Sequence, residues 1–343
     1  MSELTVSVVI PTYNRAQLLG RAIQSVLSQL GREDEVIVVD DGSTDGTAET
    51  VAALAEPRIL NIRQSHAGAG AARNRGVAEA TRDLIAFLDS DDEWLPGKLA
   101  VQRHFMETRD EVLFCFTDLG ADQDGKRIPL LRTGRWHDDL RSWDKILSRP
   151  MRYSWFAGLP GGAPDFNVYV GELYHGAMYY NYFSTSCLMV RREQAAGAIH
   201  FAEDVATYEE WECLGHLARQ GKAAFLDFVG SLQHKDSGER ISDADWVQRA
   251  ESRLVILQNV WGSDHEFLKT HGAEYRGVEH DQELARIRGM IVLGRRAEAL
   301  EEMRKLRRVP IVYRSAALLP AAWMSALVSL RHSVNDFLTA PAH

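Results

Sequence analysis

The sequence predicts an α/β protein in which a mostly parallel sheet is flanked by helices and followed by a C-terminal helical appendage. Three observations predict this. Short runs of β-branched residues alternate with segments of helical spacing from the N-terminus onward. Polar residues cluster where those runs end, which in an open parallel sheet is the carboxyl edge where ligands bind. From Asp243 onward the alternation gives way to amphipathic or apolar helices alone.

Val6-Ser7-Val8-Val9-Ile10 is a strand closed by Pro11, and Leu18, Leu19, Ala22, Ile23, Val26 and Leu27 give residues 15–30 the spacing of a helix. Val36-Ile37-Val38-Val39 is a second buried strand. It ends in Asp40-Asp41-Gly42-Ser43-Thr44-Asp45-Gly46, with Ser43 or Asp45 as N-cap of a helix over 47–54. Residues 58–62 form a third strand, 70–80 a third helix and 84–88 a fourth strand, the alternation of a Rossmann-like sheet. A helix over 95–106 and a strand over 112–116 close this half near Thr117. Residues 136–183 are rich in Trp, Tyr, Gly and Pro without periodicity, and read either as binding loops or as satellite core. A returning strand over 184–190, a short helix opening at 191–193, a helix with Trp211, Leu214 and Leu217 as its buried stripe and a last strand over 223–229 follow. Residues 233–240 are a polar loop, and 246–261, 281–293, 297–306 and 316–330 are helical.

With 343 residues, 45% of them hydrophobic and 25% charged, the chain can bury a sizeable core, and a net charge of -9 gives no reason to expect nucleic acid as a partner. Cys115, Cys187 and Cys213 are far apart and odd in number, without a Cys-x-x-Cys pair, so they read as reduced core residues of a cytoplasmic protein. No basic segment followed by an apolar stretch opens the chain, so no secretory signal is expected. The stretch 316–330 is broken by Pro320 and is too short to span a bilayer. Flanked by Lys305, Arg307, Arg308, Arg314 and Arg331, it suits either packing on its own domain or peripheral contact with an anionic membrane on the cytoplasmic face.

The chemistry concentrates in Phe87-Leu88-Asp89-Ser90-Asp91-Asp92-Glu93-Trp94, where an apolar run ends in closely spaced carboxylates. By itself this is a metal and diphosphate site or an acidic turn; at a strand's carboxyl end, beside the loops 12–15 and 40–45, it is a site. Two other motifs fail on inspection. The segment from Asp41 starts like a calcium loop but has Ala52 where the closing Glu belongs, and Gly68-Ala69-Gly70 starts like a dinucleotide fingerprint but has Arg73 for the third glycine.

With Val8-Val9-Ile10-Pro11-Thr12-Tyr13-Asn14-Arg15, Val38-Val39-Asp40-Asp41-Gly42-Ser43-Thr44-Asp45, Gly70-Ala71-Ala72-Arg73-Asn74-Arg75-Gly76 and Phe87-Leu88-Asp89-Ser90-Asp91-Asp92, the chain resembles the family-two glycosyltransferases of the GT-A type. The resemblance is close over about the first 110 residues and weakens toward about residue 240. It implies a donor-binding half over 1–117, an acceptor and catalytic half over 118–240, and a helical region over 241–343. It also implies an inverting transfer of sugar from a nucleotide diphosphate sugar to an acceptor hydroxyl, with Mn²⁺ or Mg²⁺ on the diphosphate. Such enzymes serve glycan or polysaccharide biosynthesis. The acceptor, whether glycan, lipid-linked glycan, protein or small molecule, is left open, as is a homodimer.

The resemblance also assigns residues. Pro11, Thr12, Tyr13 and Arg15 line the base pocket, and Asp41 accepts the imide N–H of uracil or thymine or the N1–H of guanine, which admits UDP first, then dTDP or GDP. Arg73 stacks on the base or neutralises phosphate, or is a helix-surface charge. Asp91 ligates the metal, Asp89 faces ribose and the metal shell, and Asp92 takes either task. His234 approaches the metal or diphosphate, with Lys235 and Arg240 neutralising phosphate on closure. Tyr153, Trp155 and Trp211 mark the acceptor region. Thr207-Tyr208-Glu209-Glu210-Trp211 resembles the element carrying the catalytic base, with Glu210 where the family has Asp, Glu209 as its nearest competitor, and Glu203 and Asp204 behind. That departure supports an alternative, a catalytically impaired nucleotide-sugar binding protein. A nucleotidyltransferase is disfavoured, because the first loop lacks a glycine-rich phosphate cradle.

Overall fold

The computed structural model describes residues 3–123, 126–135, 139, 141–156, 158–159, 164–234, 245–306 and 308–318. The chain forms two compact units, one of residues 1–204 and 208–240, the other of 205–207 and 241–343.

The first unit is one mixed sheet with helices on its faces. It opens with β1 (Val6–Thr12), α1 (Ala16–Leu27), β2 (Glu35–Asp40), α2 (Thr47–Ala53), β3 (Ile59–Arg63), α3 (Ala69–Glu79) and β4 (Leu84–Phe87). It continues with β5 (Asp92–Trp94), α4 (Lys98–Thr108), β6 (Val112–Gln123), β7 (Lys126–Pro129), α5 (Trp143–Ile146), β8 (Met151–Arg152), β9 (Asn167–Gly171), α6 (Tyr174–Ala177), β10 (Leu188–Arg191), α7 (Glu209–Gln220) and β11 (Lys222–Gln233). The order across the sheet is β3-β2-β1-β4-β10-β6-β11-β9-β8, with β5 paired to β11 and β7 to β6. Strands β1 to β4, β6 and β11 run the same way, and β10 is inserted antiparallel between β4 and β6. Strands β1, β2 and β4 are buried on both faces, which is why they read as continuous apolar runs: Val8, Ile10, Val36, Val38, Leu84 and Ala86 all lie in one core with Leu19, Ile23 and Val26 of α1. All three cysteines are buried and free.

Several expected boundaries move. β1 runs through Pro11 to Thr12 rather than closing at Pro11, because β4 stops at Phe87 opposite Val9 and no strand on that side needs the missing N–H. Neither Ser43 nor Asp45 is the formal N-cap of α2, which is Gly46. Asp45 still accepts from the Thr47 N–H at 3.0 Å and reaches across to the Ala16 N–H at 3.1 Å, so one carboxylate serves the first turns of two helices. The expected strand over 184–190 begins as a single 3-10 turn, Thr185–Cys187, and the expected helix at 191–193 is a run of turns. Part of the acidic loop is itself a strand, because β5 pairs antiparallel with β11 and buries Trp94.

Beneath β5, Lys98 is fully buried with its ammonium 3.8 Å from the centroid of the Trp94 ring and no hydrogen-bond partner among the described residues. Burial pushes it down to about 7 from its ordinary 10.5, against a smaller opposing pull from Cys187 and Cys115. Lys98→Met is therefore expected to fold and to gain about 1–3 kcal/mol at pH 6. Because the folded value is lowered, the gain should shrink as pH rises from about 7 toward 10.5. Thermal melts of both proteins across that range check it; no gain at pH 6 would contradict the burial argument.

The second unit contains α8 (Trp246–Leu257), which runs into a π-turn over Gln258–Gly262, then α9 (His265–Val292), α10 (Arg296–Lys305) and α11 (Ile311–Leu318). Asp245 caps α8 in a capping box with Gln248. The expected helix over 281–293 is the second half of the 28-residue α9. Val247, Ile287, Met290, Ile291, Ala299 and Met303 form its core. Among the described residues no helix is long and apolar enough to cross a membrane. The stretch 319–330 lies outside them.

Candidate active site

The first two polar loops lock together before any ligand is considered. Asn14, in the left-handed region at φ 51°, donates its backbone N–H to Ser43 Oγ at 2.9 Å and accepts from the Thr44 N–H at 2.8 Å. The Asp41 N–H donates to the Thr12 carbonyl at 2.9 Å. The Arg15 N–H meets Thr47 Oγ1 at 3.3 Å, and Pro11 lies opposite Val39. Thr12 Oγ1 is buried with no hydrogen-bond partner among the described residues, and the Tyr13 ring beside it is 41% exposed. A buried orphan hydroxyl next to a partly exposed aromatic ring is what a polar planar ligand would complete.

Asp41 is buried beneath this pocket and holds the loop that follows β3. Its Oδ1 accepts from Gln64 Nε2 at 2.8 Å and the Ala67 N–H at 2.9 Å, and its Oδ2 accepts from the Gly68 N–H at 2.8 Å. His66 Nδ1 lies 2.8 Å from the same Oδ2, and the His66 ring stacks on Tyr13 with centroids 4.1 Å apart. Gly42, at φ 82°, has to be glycine for a second reason, since a Cβ there would come within 3.0 Å of the His66 backbone nitrogen.

In the acidic loop, Ser186 is the hub. Its hydroxyl donates to Asp92 Oδ2 at 2.5 Å and accepts from the Asp89 N–H at 3.1 Å, while its carbonyl accepts from Trp94 Nε1 at 3.0 Å and Ser231 Oγ at 2.6 Å. Asp92 is thereby turned inward and 4% exposed, so the expectation that it takes a metal or ribose task is corrected. Asp89 accepts from Thr185 Oγ1 at 2.9 Å. The Asp91 carbonyl accepts from Arg21 Nη2 at 3.1 Å. His234 reaches the same edge from β11, with Nε2 3.0 Å from Glu93 Oε2. Lys235 and Arg240 lie outside the described residues.

Oxygen-only donors of this kind suit Mn²⁺ or Mg²⁺. Among the described residues, no three carboxylate or imidazole ligand atoms of this loop lie within 4.8 Å of one another. The chain therefore fits an ion held by one or two carboxylates, with phosphate oxygens and water completing it, rather than an all-protein cage.

Arg73 is not the helix-surface charge that was one of its sequence alternatives, and its guanidinium is engaged by two carboxylates. It is buried, with Nη2 2.7 Å from Asp89 Oδ1 and Nη1 2.6 Å from Glu209 Oε1. Burial opposes its charge, but Asp89 and then Glu209 outweigh that and raise it further above its ordinary value. The contact exists because α3 and α7 approach closely: a Cβ on Gly70 would lie 2.1 Å from the Ala202 carbonyl oxygen and 3.6 Å from Glu209 Cβ.

Tyr208, in the left-handed region at φ 67°, launches α7 so that Glu209 and Glu210 occupy its first turn. Such a conformation is uncommon for a bulky residue and concentrates at functional sites. Glu210 Oε1 accepts from Asn181 Nδ2 at 2.8 Å. Burial first, and then the charge of Glu209, push the Glu210 carboxyl up to about 8. The helix N-terminus favours the ionised form, and desolvation together with the Glu209 charge outweighs it.

The acceptor residues divide. Trp155 is 70% exposed, but Tyr153 is 1% exposed, stacks on Phe166 at 4.7 Å and donates its hydroxyl to the Val101 carbonyl at 3.2 Å. Trp211 is 3% exposed and donates to the Ala177 carbonyl at 2.6 Å. Both are core residues and cannot offer a face to a sugar. Gln64, His66, Asn181, Thr185 and Ser186 escaped the sequence reading. Three hydroxyls opening an otherwise apolar run at Ser184-Thr185-Ser186 were a signal for the last two; nothing marked Asn181 within an aperiodic segment.

The sheet order, the parallel carboxyl edge and the acidic loop facing α7 define the glycosyltransferase fold of the GT-A type. Residues 7–170 match the family model of glycosyl transferase family 2. Over 120 residues the chain is 38% identical to the UDP-Glc:alpha-D-GlcNAc-diphosphoundecaprenol beta-1,3-glucosyltransferase WfaP of Escherichia coli, covering 35% of this chain and 47% of that protein. The chain spans less than half the length of the first curated relatives it matches. In fold it is similar to residues 1–349 of S. aureus TarS in complex with UDP-GlcNAc, with a TM-score of 0.55 and 17% identity over 84% of this chain and 80% of that one. It is similar too to the mannosyltransferase PcManGT of Pyrobaculum calidifontis in complex with GDP-Man and Mn2+, with a TM-score of 0.53 and 18% identity over 100% of this chain and 89% of that one.

Proposed function

We propose that the chain transfers a sugar from a nucleotide diphosphate sugar, a UDP-sugar before a dTDP- or GDP-sugar, to an acceptor hydroxyl with inversion, using Mn²⁺ or Mg²⁺. The observation that carries this is the Arg73 bridge, which ties Asp89 of the acidic loop to Glu209 and so sets the donor carboxylates beside Glu210. An inverting transfer needs that adjacency, because the base must take the acceptor proton as the hydroxyl attacks the carbon losing the diphosphate.

In this reading Tyr13, Thr12, Pro11 and Arg15 bound the base and Asp41 accepts its imide N–H. Asp89 turns toward the ribose and Asp91 holds the metal. A divalent ion there would stabilise the charge that develops on the departing diphosphate. Glu210 is the base, oriented by Asn181, and Glu209 balances Arg73 rather than competing for the proton. His234, paired with Glu93, stands where phosphate oxygens would arrive. Trp155 is the acceptor-facing aromatic carried forward. A lipid-linked glycan is the acceptor class favoured by the WfaP likeness, with the enzyme at the cytoplasmic face of a membrane and its basic C-terminal segment in peripheral contact.

At a hundredfold excess over Kd, UDP with Mn²⁺ is expected to stabilise the fold by about 2.7 kcal/mol. That corresponds to roughly 5–10 °C in melting temperature, and chelation should erase it. A thermal-shift panel of UDP, dTDP and GDP with Mn²⁺ and Mg²⁺ checks this, and a flat response to every pair would sink the proposal. Sugar release from the matching donor separates an enzyme from an impaired binding protein.

A further inference from the structure

We propose that His66 is a built-in occupant of the nucleobase pocket, and that its displacement sets how tightly a nucleoside diphosphate binds. The inference rests on Tyr13 and Asp41 forming that pocket. A base in this pocket needs two things: a free aromatic face to stack on and a carboxylate oxygen to accept its imide N–H. His66 uses both at once. Its ring lies against Tyr13 with centroids 4.1 Å apart and an interplanar angle of 22°, so no third ring fits between them. Its Nδ1 pairs with the Asp41 backbone carbonyl at 3.2 Å and lies 2.8 Å from Asp41 Oδ2, so the ring stands in the approach to the oxygen that uracil, thymine or guanine would use.

The other partners of Asp41 cannot be exchanged so easily. Ala67 and Gly68 donate backbone N–H groups, and Gln64 donates its side-chain amide, to the same carboxylate. These bonds, with the tight passage of the His66 backbone over Gly42, hold the loop in place. The His66 side chain is different, because it is 56% exposed and can rotate into solvent with little loss of burial. Rotation about its side-chain bonds alone would uncover the Tyr13 face and the approach to Asp41 Oδ2, and leave the loop backbone where it is. The neighbouring Thr12 hydroxyl, buried and without a partner among the described residues, would then gain one from the incoming base or ribose.

A pocket open for only a fraction of the time weakens apparent affinity by that fraction. One ring stack and one hydrogen bond to the Asp41 backbone carbonyl favour the closed state by about three- to tenfold. Isothermal titration of UDP with Mn²⁺ should accordingly show His66→Ala binding about three- to tenfold more tightly than wild type, and His66→Phe, which keeps the stack but not the hydrogen bond, falling between them. Pyrophosphate with Mn²⁺ has no base and should bind both proteins equally. In proton–nitrogen spectra of the wild type, UDP should shift the His66 imidazole signals toward those of a solvated ring. Unchanged or weaker UDP binding by His66→Ala would overturn the proposal, as would an equal gain for pyrophosphate. If UDP, dTDP and GDP all fail to bind both proteins, the nucleotide reading falls and this inference with it; wild-type binding without a gain in His66→Ala removes this inference alone.

Discussion

Glu210→Gln is expected to lower the transfer rate by about 10²- to 10⁴-fold while leaving stabilisation by UDP and Mn²⁺ in place. Glutamine keeps the length and the hydrogen bond to Asn181 but cannot accept the hydroxyl proton, so the loss should appear in kcat rather than in donor affinity. The pH dependence gives a second test. The carboxyl is raised from its ordinary 4.5 to about 8, so it is protonated at neutral pH and the competent base appears only as pH climbs through about 8. Wild-type kcat should rise along that limb, and the residual rate of Glu210→Gln should not. Stability runs the other way: between pH 4.5 and about 8 the folded carboxyl keeps a proton that the unfolded chain has released, so this group makes the fold less stable as pH rises across that window. A variant with unchanged kcat would remove Glu210 as the base and return Glu209 to consideration.

Arg73→Met should be the most destabilising single change at the site, costing about 3–5 kcal/mol. It leaves Asp89 and Glu209, with side chains 28% and 10% exposed, facing each other without the cation that separates them. Asp89 keeps enough contact with solvent to soften the penalty, so the lower end of the range is expected. The melting temperature should fall by about 10 °C. Arg73→Met combined with Glu209→Gln should recover part of that loss, because the second change removes a buried charge without a partner. Arg73 also draws the Glu210 carboxyl downward, so Arg73→Met should push the rising limb of the activity profile to still higher pH. An unchanged melting temperature in Arg73→Met would show that the bridge carries no net energy.

Much of the donor side was readable from residue order because its determinants are local. Strand, helix and loop lengths in the first half follow from side-chain periodicity over a few residues, and the parallel direction of β1, β2 and β4 necessarily brings Tyr13, Asp41 and Asp89 to one edge. The errors share a physical cause. Arg73 meets Glu209 136 positions later, Ser186 meets Asp92 across 94 and Tyr153 finds Val101 across 52. No short-range pattern records such contacts. An aromatic in an irregular segment can turn to solvent, as Trp155 does, or into the core, as Tyr153 does, and composition is the same for both.

The sequence by itself determined that this chain builds a parallel sheet edge carrying an aromatic, a buried carboxylate and an acidic loop, because those follow from periodicity and strand direction. Only the tertiary structure decided which carboxylates face the site. Desolvation and pairing made that choice: Asp92 is satisfied inward by Ser186, Asp89 and Glu209 share one buried guanidinium, and Glu210, half-buried beside a like charge, is left with a raised carboxyl.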